Sequence, residues 1–245
     1  MQGPIEWLSG RSWSEFVQDI AVDTAVQWFT VAMGVFYAAC FFIVIFVKKL
    51  PVFFRFFLWL GAAGLLLLAF IYTKDQFYHT GQFFEYALQF GAPAFLLIAL
   101  KTGGISDRLV FWMKLATAIT FACHGLYAIG YYPRPGTFLD MTIRITGLSQ
   151  QAAIQFLNIA GVLDFVVAIG IFLPVKWARW FLLYAAGWGL LTSLARPVGN
   201  FFPEFALLSL HQWVHEMVFR LPHFIVPLLL FLKLPTSPPI STNQD

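Results

Sequence analysis

Seven stretches of roughly 20 mostly apolar residues run through this chain, each long enough to cross about 30 Å of hydrocarbon as a helix. They are Thr24–Val47, Val52–Tyr72, Phe83–Leu100, Leu109–Tyr131, Ala153–Leu173, Trp177–Leu194 and Phe205–Leu232, bounded by Pro, Gly or charge as at Lys48-Lys49-Leu50-Pro51 and Pro174-Val175-Lys176. In lipid a spanning segment must satisfy its own backbone hydrogen bonds, so the pattern predicts an all-α polytopic membrane bundle of seven transmembrane helices. Composition agrees: 60% of the 245 residues are hydrophobic and 11% are charged, against about 25% charged in soluble domains. The net charge is only +3 and the basic residues are scattered in ones and twos, which excludes a phosphate-tracking stripe and with it nucleic acid as a partner. Cys40 and Cys123 sit inside apolar runs, where a thiol behaves as a small hydrophobe.

Glu6 rather than a basic cluster precedes the first run, which is also too long for a signal-peptide core, so that run reads as a mature membrane helix. Lys48, Lys49, Arg55, Lys101, Arg108, Lys176, Arg179 and Lys233 fall on one side of a seven-span topology. Arg11, Lys74, Arg134, Arg144 and Arg196 fall on the other. The bias places the N-terminus outside and the C-terminus in the cytoplasm. Residues 1–23 form an interfacial segment, with Trp7, Trp13, Phe16 and Ile20 at helical spacing and Glu15, Asp19 and Asp23 turned to water. Residues 235–245 are polar and Pro-rich, the composition of a disordered tail.

The chain also repeats itself. Ala25-Val26-Gln27-Trp28 aligns with Ala153-Ile154-Gln155-Phe156, Leu50-Pro51-Val52 through Arg55 with Leu173-Pro174-Val175 through Arg179, and Glu85 through Lys101 with Glu216 through Lys233. The order is the same in both copies and the offset is four helices, which predicts a parallel internal duplication: a degenerate three-helix repeat over 24–101 and a four-helix repeat over 106–234. No helix shows the paired Gly/Pro interruption expected of a broken-helix transporter site.

Ionisable groups at membrane depth are functional candidates by default. The last stretch carries His211, His215, Glu216, Arg220 and His223, with Glu216 and Arg220 at the i,i+4 spacing of an ion pair. His124, Gln155, Asn158, Asp164 and Arg196 lie at comparable depth on other helices. The pocket residues are therefore His124, Asp164, Arg196, His211, His215, Glu216 and Arg220. Several chemistries fit the set. His211 and His215 with His124 could hold a metal; a His pair on facing helices could ligate haem iron; a His beside a carboxylate could bond a quinone head group; and the whole could be a structural network. Trp28, Trp59, Trp112, Trp177, Trp180, Trp188 and Trp213 read as an interfacial belt.

Gly161-Val162-Leu163-Asp164 through Pro174 and Arg179, with Phe121-Ala122-Cys123-His124-Gly125-Leu126 and a long outer loop containing Gly147-Leu148-Ser149, resembles the DoxX-like four-helix membrane family. The resemblance covers Leu109 to Leu232, and Asp164 stands where that family has Glu. It implies a redox-associated integral membrane subunit of a bacterial cytoplasmic membrane, quinone as ligand, redox-enzyme partner proteins or an assembly and scaffold role, and His124, Asp164 and Arg196 as pocket residues. Thr120-x-x-x-His124 with His211 and His215 is also similar to alkaline-ceramidase-type zinc hydrolases, which would make the chain an intramembrane hydrolase.

Overall fold

The computed structural model describes residues 10–235, so Trp7 of the expected interfacial segment and the expected disordered tail from residue 236 onward lie outside the described residues. The described residues form eleven α-helices, two short 3-10 turns and no strand. They are α1 (Trp13–Gln18), α2 (Ile20–Ile45), α3 (Arg55–Asp75), α4 (Thr80–Glu85), α5 (Ala87–Thr102), α6 (Asp107–Ala128), α7 (Gly136–Thr146), α8 (Gln150–Gly170), α9 (Val175–Gly199), α10 (Ala206–Arg220) and α11 (Pro222–Lys233). Among the described residues six helical segments are long and apolar enough to cross a membrane: Ile20–Ile45, Val52–Asp75, Thr80–Thr102, Asp107–Ala128, Gln150–Gly170 and Pro203–Lys233. A chain so built is an integral membrane protein. The expected seventh span, Trp177–Leu194, is helical within α9 but is not among the six. At about 37 Å α9 is long enough, yet Trp, Gly, Ser, Thr and Arg dilute it. Its Ala178, Leu182, Ala185, Ala186, Gly189 and Ser193 are buried against protein, which requires less hydrophobicity than a lipid face.

Two compact units divide between Gly61 and Ala62. In the first, Ser12 and Glu15 make a capping box that starts α1, and the Asp19 side chain accepts a 2.8 Å bond from Ala21 N, starting α2. The helix therefore begins at Ile20, four residues before the expected Thr24. The Ala21 N–H and the Arg11 guanidinium hold the Asp19 carboxyl below its usual range. Only Cys40 is buried along α2, whose Tyr37 hydroxyl donates to Gly61 O at 3.0 Å.

In the second unit, local signals set the helix ends. Ser106 and Ser149 cap α6 and α8, and Gly103 and Gly147 close α5 and α7 with left-handed φ of 76° and 70°. Residues 136–146, expected as part of a loop, are the amphipathic helix α7, burying Phe138, Met141 and Thr142. Two spans are interrupted. Tyr86 separates α4 from α5. Leu221 separates α10 from α11, where Pro222 has no N–H to continue the ladder. Arg179 caps the end of α11 by donating to Phe231 O and Leu234 O, its guanidinium over the Phe231 ring.

Helices α6 and α8 cross in close contact. A Cβ on Gly125 would stand 2.8 Å from Gly161 O, and one on Gly161 would stand 2.7 Å from Ile129 Cγ2 and 2.9 Å from Gly125 O. Small residues let the backbones touch there. Gly161→Val therefore destabilises the protein by about 1–3 kcal/mol, read as a lowered thermal midpoint in detergent. Gly34→Ala, on α2 with open space around it, leaves the midpoint unchanged or raised.

Candidate functional site

The Gly125–Gly161 crossing decides which polar side chains meet. One residue before Gly125 on α6, His124 Nδ1 lies 2.8 Å from Oδ2 of Asp164, one turn after Gly161 on α8. The Asp164 side chain is 0% exposed and that of His124 14%. Asp164 Oδ1 is buried with no partner in the protein. With Asp164 ionised, Nδ1–H donates to Oδ2 and Nε2 is left as the ring's remaining bonding atom.

His124 borders a cavity of about 350 Å³ between α6, α7, α8 and α9, within the range of small-molecule sites. Phe138, Met141, Leu157 and Trp188 form its body, and Arg196 stands at the polar end with Thr192. Leu191, Leu194 and Val198 also line it and are exposed, so its mouth opens on an apolar surface. Helix α7 roofs it and is tied down at two points. Arg134, just before α7, donates to Ala128 O at 2.9 Å and Asn158 Oδ1 at 2.6 Å; Arg144 donates to Asn200 Oδ1 at 3.2 Å.

Arg196 connects this cavity to a charged network. Its Nε donates to Glu216 Oε2 at 3.1 Å and its Nη1 to Thr192 O at 3.2 Å. The expected Glu216–Arg220 pair along α10 does not form: Arg220 Nη2 instead donates to Glu85 Oε1 at 2.9 Å, with side chains 10% and 5% exposed. Glu85 closes α4 and Arg220 closes α10, so this buried pair joins the two interrupted spans at their interruptions. His223 is buried beneath, its Nδ1 donating to Arg220 O at 3.1 Å.

The structure thus splits the expected cluster. His124, Asp164 and Arg196 share the cavity region, and Glu216 and Arg220 belong to the charged network, while His211, His215 and Gln155 are exposed on outer faces. No group of three or more His, Cys, Asp or Glu among the described residues is arranged to hold a metal ion. Trp188, expected in the interfacial belt, instead lines the cavity with its indole Nε1 buried. Sequence reasoning did not give Glu85 a partner or α7 a role. The signals were a carboxylate inside an apolar stretch, and Phe138, Met141 and Ile145 at helical spacing.

No protein-family model, curated protein or solved structure matches the chain.

Breaking the Glu85–Arg220 pair from one side leaves a charge buried alone. Arg220→Met is expected to cost about 3–5 kcal/mol. Arg220→Met combined with Glu85→Leu costs less than Arg220→Met alone, which a double-mutant cycle on thermal unfolding in detergent measures.

Proposed function

We propose that the chain is a redox-associated integral membrane subunit that binds a quinone, or a similar small apolar molecule with a carbonyl-bearing head, in the cavity under α7. The observation that carries this reading is the cavity itself: apolar walls, a mouth edged by Leu191, Leu194 and Val198, and His124 and Arg196 as its charged and titratable wall residues. A quinone oxygen can only accept hydrogen bonds, so the wall must offer donors. Thr142 and Thr192 spend their hydroxyl hydrogens on Phe138 O and Gly189 O. Arg196 uses Nε and Nη1 on Glu216 and Thr192 O, which leaves Nη2–H for a ligand.

The His124–Asp164 pair supplies a second donor. Protonated, His124 offers Nε2–H to the cavity while Asp164 Oδ2 holds Nδ1 and balances the charge. Deprotonated at Nε2, the same ring accepts. Asp164 fixes the ring's orientation in both states, because its own carboxylate is anchored by the α6–α8 crossing. The unpartnered Asp164 Oδ1 fits a wall built to hold a proton. A bound quinone would supply reversible two-electron, two-proton chemistry, and the electrons would come from a redox-enzyme partner. Helix α2, with only Cys40 buried over 26 residues, leaves ample surface for lipid and for such a subunit.

The likeness to DoxX-like proteins supports the same reading, since His124, Asp164 and Arg196 are the residues that likeness selects. The parallel duplication is part of the proposal, and it is supported by an interruption in the last span of each copy, after Glu85 and after Arg220.

Lipid extracted from the purified protein and identified by mass spectrometry tests the proposal. Wild-type protein is expected to retain quinone near one per chain. Ala195→Trp, which fills the cavity, loses it, and His124→Ala retains several-fold less. Quinone absent from wild type, or retained equally by Ala195→Trp, overturns the proposal.

A further inference from the structure

Behind the large cavity lies a second one of about 10 Å³, between α6, α9 and α11, lined by Thr120, His124, Trp188, Gly189 and His223 among others. Its volume is at the threshold for a single water molecule. Three atoms of its lining residues are buried and have no partner in the protein: Thr120 Oγ1, Trp188 Nε1 and His223 Nε2. Native proteins pair nearly all such groups, so three at one spot call for a common partner.

The chemistry of the three atoms is complementary. A backbone carbonyl only accepts, so His223 Nδ1, bonded to Arg220 O, carries the ring hydrogen, and Nε2 of the neutral ring is a bare acceptor. The Trp188 indole N–H only donates. The Thr120 hydroxyl does both, and unlike Thr117 and Ser193 on the same two helices it is not tied to a carbonyl of its own helix: those two donate to Met113 O at 2.8 Å and Gly189 O at 2.7 Å. One donor, one acceptor and one group of either kind match the bonds a water molecule makes. The site is also shaped for close contact. A Cβ on Gly189 would collide with the His223 carbonyl, so glycine lets α11 close against α9 at this level.

We propose that α6, α9 and α11 build a binding site for one ordered water, held by Thr120, Trp188 and His223, which supports the wall of the larger cavity from behind. His124 and Trp188 line both cavities, so this water touches the side chains that a ligand would meet from the other side. Thr120 and His223 are then positioning residues acting through it. The link to a ligand rests on the function proposed above; the water site itself does not.

The full chain, labelled with 15N-tryptophan and held in lipid nanodiscs, provides the test. The Trp188 indole resonance is assigned as the one lost in Trp188→Phe. In wild type it should show a cross-peak to a long-lived water that falls by half or more in Thr120→Val and returns in Thr120→Ser. The remaining indole resonances report that each variant is folded. A folded wild type without the cross-peak, or a cross-peak that Thr120→Val leaves unchanged, overturns the water site. Titration with a short-chain benzoquinone is read separately. Movement of the Trp188 resonance supports the link between the two cavities, whereas no movement with the cross-peak intact overturns that link and leaves the water site standing.

Discussion

The contact between the backbones of α6 and α8 at Gly125 and Gly161 is the constraint from which the polar interior follows. Without side chains at those two positions the helices approach so closely that a Cβ on either glycine would overlap the other's carbonyl oxygen. That approach brings a His and an Asp, forty residues apart, to hydrogen-bonding distance, with the Asp fully buried. A larger residue at either glycine would separate the pair and strand the Asp164 carboxyl in an apolar environment, where an unpaired charge is costly. The same crossing fixes one wall of the large cavity, since His124 and Leu157 belong to these two helices.

A chain with so few charges places some of them where its backbone is interrupted. Glu85 and Arg220 meet at the points where two spans lose their regular backbone bonding. A helix interruption exposes main-chain polar groups, and a buried ion pair beside it gives the region a polar character that hydrocarbon packing could not. Here the Arg220 carbonyl is taken up by His223 Nδ1. Helix α9 follows the same logic. It runs through the polar interior, carries Arg196 and is less apolar than its neighbours because much of its surroundings is protein.

Much of the fold could be read from the residues because the bilayer imposes a length and a composition on anything that crosses it. Six of the expected stretches coincide with helices of spanning length, and Ser106, Ser149, Gly103 and Gly147 mark ends by local chemistry alone. What was hidden has physical reasons. Helical spacing sees only neighbours three or four residues apart, so it paired Glu216 with Arg220, while the fold pairs Arg220 with Glu85, 135 residues away. An eleven-residue helix is too short to stand out as a span, so α7 passed for loop although it roofs the cavity. Trp188 looked like its belt-forming counterparts because an indole reads the same in sequence whether its N–H meets water or the interior. His124, Asp164 and Arg196 were legible as candidates from depth alone. Their mutual geometry was not, because it depends on which helices touch.

The apolar mouth of the large cavity changes what affinity means for anything that enters it. Leu191, Leu194 and Val198 edge that mouth and face outward. On the function proposed above, an occupant arriving between them comes from the acyl-chain region and leaves to it, by diffusion in two dimensions. Its effective concentration is then its mole fraction in the membrane, and weak binding suffices for high occupancy because partitioning into lipid has already enriched the molecule. Selection falls to the few polar groups at the inner end, since every competing lipid can satisfy the greasy edge equally well.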